Sequence, residues 1–240
     1  MPEPALVLVV TFVALFVSSV AGYGGSLVLV PALAAILGPK EGIAVAALLL
    51  GWNNVFKVLA YRHTLALRRG WPLVVVTAAG VWVGARVLVE SSDRVIMWAI
   101  IAVTAASLLV EIVVDGDRLR MRRHVAVPAM AASSVLSGIS GSSGPLKGIA
   151  IRSLNLPRLE HVGAAATVSL VADAFKVELF ASAGLLRGVH VQTLLVALPM
   201  MPVGAWVGRW VNRRIDEEAF RWVFWTVVGG YTMRMAGVWL

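Results

Sequence analysis

The chain has 240 residues and no cysteine, which excludes disulfides and thiolate metal sites. It is 59% hydrophobic and only 14% charged, with a mean hydropathy of +0.85, well short of the roughly one-quarter charge of a soluble domain, so a water-soluble globule is excluded as well. The formal charge of +8 would suit a nucleic-acid partner, but the arginines stand in short loops between apolar segments, where the positive-inside rule puts them, and no nucleic-acid partner is expected.

In chain order, the apolar segments run over about 5–21, 25–37, 42–60, 71–89, 94–113, 125–140, 144–156, 161–183, 189–208 and 219–239. Several are long enough to cross a hydrocarbon core of about 30 Å. The opening MPEP carries Glu3 and no basic residue, so a cleavable signal peptide is not expected. Two pairs of segments are short, 5–21 with 25–37 and 125–140 with 144–156. Each pair flanks a small-residue joint, GYGGS from Gly22 and GISGSSG from Gly138. Such a pair forms either one broken spanning helix or a re-entrant hairpin, and both satisfy the backbone when protein surrounds the break.

Positive charge favours the hairpins. With both pairs re-entrant and the N-terminus outside, one set of loops holds Arg62, Arg68, Arg69, Arg118, Arg120, Arg122, Arg123, Arg152, Arg158, Arg209, Arg213, Arg214 and Arg221. The other side keeps only Lys40, Arg94 and Arg187. Spanning pairs would put the 61–70 and 209–221 loops on opposite sides and erase most of this bias.

The two halves repeat. Phe56-Lys57-Val58 returns as Phe175-Lys176-Val177, Gly22 and Gly25 as Gly141 and Gly144, and Asn54 as Asp173, all at one offset. Ala44–Ala47 matches Gly163–Ala166, and Val83-Gly84-Ala85 matches Val203-Gly204-Ala205 with one residue inserted. The basic loop follows the third segment in one half and the next loop along in the other, so the halves are expected to sit upside down relative to each other. The expected fold is an all-α polytopic membrane protein of two inverted-topology repeats. Each repeat is a broken helix or re-entrant helical hairpin followed by three transmembrane helices. Residues 1–114 form the first repeat, 115–124 a basic cytoplasmic linker and 125–240 the second repeat, multi-pass in the inner (plasma) membrane.

The stretches GYGGSLVLVPAL and IAVAALLLGWNNVFKV, with their second copies GSSGPLKGIAI and VGAAATVSLVADAFKV, resemble the sulfite exporter TauE/SafE family, also called the toluene-sulfonate uptake permeases. The resemblance covers nearly the whole chain. It implies a transporter of small anions such as sulfite, sulfonates or related organosulfur compounds. Ser142 and Ser143 stand where members of the family carry a denser glycine run.

Two lysines inside apolar segments carry the most weight. Asn54 and Lys57, beside Asn53, share a helix face, and Asp173 and Lys176 repeat the spacing. A charge in a span costs about 2.5–3.5 kcal/mol, so it marks a pathway or a pair. Asp173 compensates Lys176, whereas Asn54 leaves Lys57 charged, and the net +1 suits an anion. For Lys57 the alternative is snorkelling to the interface near Tyr61. The joints add a second element, because half-helices starting at Gly25-Ser26 and Gly144-Pro145 present unpaired N–H groups and a positive dipole end. Gly22, Tyr23, Gly24, Ser26, Ser140, Gly141, Ser142 and Ser143 complete the expected substrate site, their hydroxyls adding donors. The alternative is that these small residues serve only close helix packing. Glu178 with Asp173 is read as a proton carrier or a structural pair, and Arg86 with Glu90 as an interfacial pair. Trp71, Trp98, Trp210 and Trp222 form an aromatic belt.

An enzyme is not expected. Gly138-Ile139-Ser140-Gly141 spells the G-x-S-G of intramembrane serine proteases, but His161 and His190 fall at segment ends, away from the joint. A non-transporting membrane subunit is the other alternative. No nucleotide motif or metal cluster appears, so no cofactor is expected. The partners are the lipid bilayer and a small anionic solute, and a homodimer is compatible with the chain.

Overall fold

The structure, a computed structural model, describes residues 11–12, 25–113, 122–186, 195, 197–199 and 201–203. These residues form seven helices: α1 (Gly25–Leu37), α2 (Pro39–Ala60), α3 (Leu67–Glu90), α4 (Asp93–Val113), α5 (Arg123–Ser140), α6 (Gly144–Arg152) and α7 (Arg158–Ser182), with no strand among the described residues. Every apolar segment expected in this range is a helix, with ends moved by up to a few residues. Segments 5–21, 189–208 and 219–239 lie largely outside the described residues. Pro39–Leu59 and Arg68–Glu90 are long and apolar enough to cross a membrane on composition alone. α7, at 25 residues, has the length, but Asp173, Lys176 and Glu178 interrupt its apolar run.

α1 and α2 form a tight hairpin. The chain turns at Gly38, whose φ of 93° is open to glycine. Gly42 then lies so close to the backbone of Ala34 that a Cβ there would collide with it. Lys40 Nζ donates to the Val89 carbonyl at 2.9 Å, so α2 begins beside the end of α3.

The opposite end of the bundle is marked by one apolar cluster. It joins Leu73 of α3, Ala126 and Met130 of α5, Ala150 and Ile151 of α6, and Ala164 and Val168 of α7. α3, α5 and α7 thus begin at this end and α6 finishes there. Residues 123–152 leave this end and return to it, a helical hairpin with Gly141 at its tip. Gly141 takes a φ of 76° to make the reversal. Ser133 Oγ donates to the Ser143 carbonyl at 2.8 Å, which places Ser143 beside α5 about two turns back from its end. The second pair of short segments thus folds back on itself at Gly141. The basic residues Arg62, Arg68, Arg122 and Arg152 come from stretches that meet at this same end.

α3 and α5 run parallel and touch through glycine. A Cβ at Gly84 would strike the Val135 carbonyl, and one at Gly138 would lie 2.6 Å from the Val81 carbonyl. Small residues let two backbones approach this closely, which is how helices associate where lipid removes the hydrophobic drive. α2 and α7 run antiparallel: a Cβ at Gly163, near the start of α7, would strike the Thr64 carbonyl just past the end of α2. The outward faces of α3 and α4 carry Trp71, Val75, Val83, Val87, Val95 and Trp98 exposed, a surface suited to lipid.

Candidate functional site

The site grows from the crossing of α2 and α7. Asn54 Nδ2 donates to Asp173 Oδ2 at 2.8 Å, and Lys176 Nζ sits 2.8 Å from Asp173 Oδ1. One carboxylate therefore takes an amide donor on one oxygen and an ammonium on the other, with all three side chains buried. Lys176, one turn beyond Asp173, is 2% exposed and is compensated as its i,i+3 spacing requires. Gly51 permits the crossing, since a Cβ there would already touch Asp173 Cβ at 3.4 Å.

Lys57 is half-buried and within Coulombic reach of Lys147 and Asp173. Asn53, one turn before Lys57, is 1% exposed, and its Nδ2 has no acceptor among the described residues. A buried amide donor without an acceptor is costly, and an oxyanion supplies what it lacks.

The second joint arrives from α5. Ser140 Oγ lies 2.8 Å from the Leu136 carbonyl and 3.1 Å from the Ser142 carbonyl, so its hydroxyl closes the end of α5. A serine nucleophile would need a base at that hydroxyl. Ser142 Oγ lies 3.2 Å from Ser26 Oγ, at the start of α1. The tip at Gly141 packs against Val30 and Ile43, so the second joint rests on the half-helix that follows the first. α6 then begins at Gly144 with Pro145 in its first turn, and Ser143 at the N-cap makes no side-chain cap bond. Its first-turn amides keep their capacity for an anion.

Lys147 sits one turn into α6. Its Nζ donates to Ser169 Oγ at 2.9 Å, and that hydroxyl donates on to the Ala165 carbonyl at 2.8 Å. Lys147 is also within Coulombic reach of Asp173 and Lys176. α6 and α7 pass in opposite senses, so about one turn of rise on each brings the start of α6 level with Asp173. Sequence reasoning weighed Lys57 and Lys176 and missed Lys147 and Ser169. The signal was a lone lysine early in an otherwise apolar half-helix, the same kind of signal that marked the other two.

Of the expected site residues, the structure brings together Asn53, Asn54, Lys57, Asp173 and Lys176 around the helix crossing, and Ser26 with Ser142 where the joints meet. Gly144 begins a half-helix as expected, whereas the residues before Gly25 lie outside the described ones. Ser140, Gly141 and Ser143 shape the turn. Gly22, Tyr23 and Gly24 lie outside the described residues, as do His190, Trp210 and Trp222. Glu178 is exposed. Arg86 and Glu90 form no ion pair among the described residues. Arg86 instead stacks over the Trp82 ring, 4.1 Å from its centroid, because an exposed guanidinium finds an aromatic face one turn back.

Helices of this length and apolarity, packed through glycine around buried charges, fit a helical membrane protein. The family model of the sulfite exporter TauE/SafE matches residues 7–235, nearly the whole chain. The chain belongs to the sulfite exporter TauE/SafE family, a family of membrane transporters. No curated protein and no solved structure matches it.

Proposed function

We propose that the protein carries small anions of the sulfite and sulfonate class across the inner membrane, by way of a site near the bilayer midplane. In this reading residues 1–114 and 125–240 are inverted repeats joined by the linker 115–124. The oppositely directed half-helices α1 and α6 converge there. Support comes from the antiparallel run of α2 and α7, which begin 119 residues apart, at Pro39 and Arg158. The hairpin at 123–152 is the re-entrant element, and its tip lines the path.

The observation that carries the reading is the composition of the interior. Three lysines lie within Coulombic reach of one carboxylate, beside an acceptor-less amide and the start of a half-helix. Each feature is expensive in an empty apolar bundle, and all three favour negative charge. A thermal-shift screen of purified protein against sulfite, thiosulfate, sulfonates, sulfate and carboxylates tests it, since a ligand that selects the native state raises apparent stability. Stabilisation by sulfur oxyanions over carboxylates is the expected outcome. No response to any anion, together with no flux in proteoliposomes, would reject the reading.

A further inference from the structure

The halves share Phe56-Lys57-Val58 and Phe175-Lys176-Val177 at the helix crossing, and among the positions where they differ one pair stands out. Lys147 and Ser169 correspond, at the repeat offset of 119, to Val28 and Leu50. Both of those are buried apolar residues, 1% and 7% exposed. The second half thus holds a half-buried ammonium and its half-buried hydroxyl partner where the first holds only hydrocarbon.

Local chemistry argues against Lys147 as a structural residue. A cation in the first turn faces the positive end of its own helix, where an anion belongs, at a cost of about 0.3–1 kcal/mol. The carboxylate within its reach, Asp173, is shared, because Lys176 already holds it at 2.8 Å. What Lys147 contacts is a neutral hydroxyl. Where a sequence breaks a local rule with no compensating gain in the fold, a ligand is the usual reason.

We propose that Lys147 is the ammonium that contacts the transported anion, with Ser169 as the acceptor that holds it in the empty protein. The inference rests on the anion-transport reading above and sharpens it. Lys176 is neutralised within the protein and acts through Asp173, as a positioning residue. The oxyanion docks against the start of α6, bonded by Lys147 and the first-turn amides. The site is therefore one-sided, because Val28 offers nothing equivalent.

The test uses full-length protein, purified and in proteoliposomes, with sulfite as the probe. Lys147→Gln is expected to abolish the sulfite-dependent thermal shift and to lower sulfite flux by about tenfold or more, the scale of one charge-assisted hydrogen bond. Lys147→Arg is expected to keep part of both. Ser169→Asp supplies a second arm independent of any loss of the lysine. It pairs Lys147 with a fixed carboxylate, should leave the unliganded melting temperature the same or higher, and should abolish sulfite binding. Unchanged sulfite binding in folded Lys147→Gln or in Ser169→Asp overturns the inference and leaves the transport reading standing. A wild-type protein that neither binds nor moves any anion overturns both.

Discussion

Asn54 bonds to Asp173, its own counterpart 119 residues away in the second half. In the proposed inverted-repeat reading, a contact between equivalent residues lies on the axis that relates the two copies, which puts that axis at the α2–α7 crossing. The pair is also where they differ, amide against carboxylate. Two asparagines would leave Lys176 without a counter-charge, and two aspartates would set like charges 2.8 Å apart.

Asp173→Asn is accordingly expected to destabilise the protein by about 3 kcal/mol, since removing one member of a buried ion pair strands the other. Asp173→Asn combined with Lys176→Met should recover most of that loss. Thermal unfolding of the two single variants and the double variant in detergent gives the coupling. Additive losses would mean that the two side chains do not depend on each other.

The glycines divide into two kinds. Gly84→Ala drives a Cβ into the Val135 carbonyl and is expected to cost about 1–3 kcal/mol by overpacking. Gly148→Ala, where a Cβ meets nothing within 4 Å, should leave stability unchanged or raise it by up to about 1 kcal/mol through helix propensity. Melting temperatures compared side by side check the contrast, and equal effects would contradict the α3–α5 contact.

The fold-back at Gly141 places the 61–66 loop and the 153–157 loop at one end of the bundle, with Gly38 and Ser91 at the other. Cysteines introduced at His63 and Asn155 should react with an impermeant thiol reagent only after cells are opened. A cysteine at Ser92 should react in intact cells. The chain has no native cysteine to confuse the readout. Labelling of residues 63 and 155 from opposite sides would reinstate a broken spanning helix.

Much of this was legible in the sequence, because helix signals in a membrane chain are strong and local. Hydropathy gave α1 its end at Leu37, and the remaining helices differ from their apolar segments by a few residues where polar ends such as Pro39-Lys40-Glu41 still belong to the helix. The Phe-Lys-Val repeat pointed to both Lys57 and Lys176, and the charge bias favoured hairpins, one of which lies largely outside the described residues. Lys147 was passed over because a repeat directs attention to what is shared, and Val28 shares nothing with it. Arg86 was paired with Glu90 by i,i+4 spacing, but Trp82 stands one turn the other way, and spacing alone does not choose between them. The meeting of Ser26 with Ser142 is a tertiary fact that neither segment encodes by itself.

The central claim is that the two joints converge on the transport path, and cross-linking tests it most directly. Ser26→Cys with Ser142→Cys puts two thiols where the hydroxyls lie 3.2 Å apart. Sulfite cleaves disulfides, so the link is made with a short bis-alkylating reagent as a stable thioether. The expected result is efficient cross-linking within one chain and loss of sulfite flux, with each single cysteine variant still active after the same treatment. Failure to cross-link in folded protein, or cross-linked protein that moves sulfite at the wild-type rate, would contradict the account.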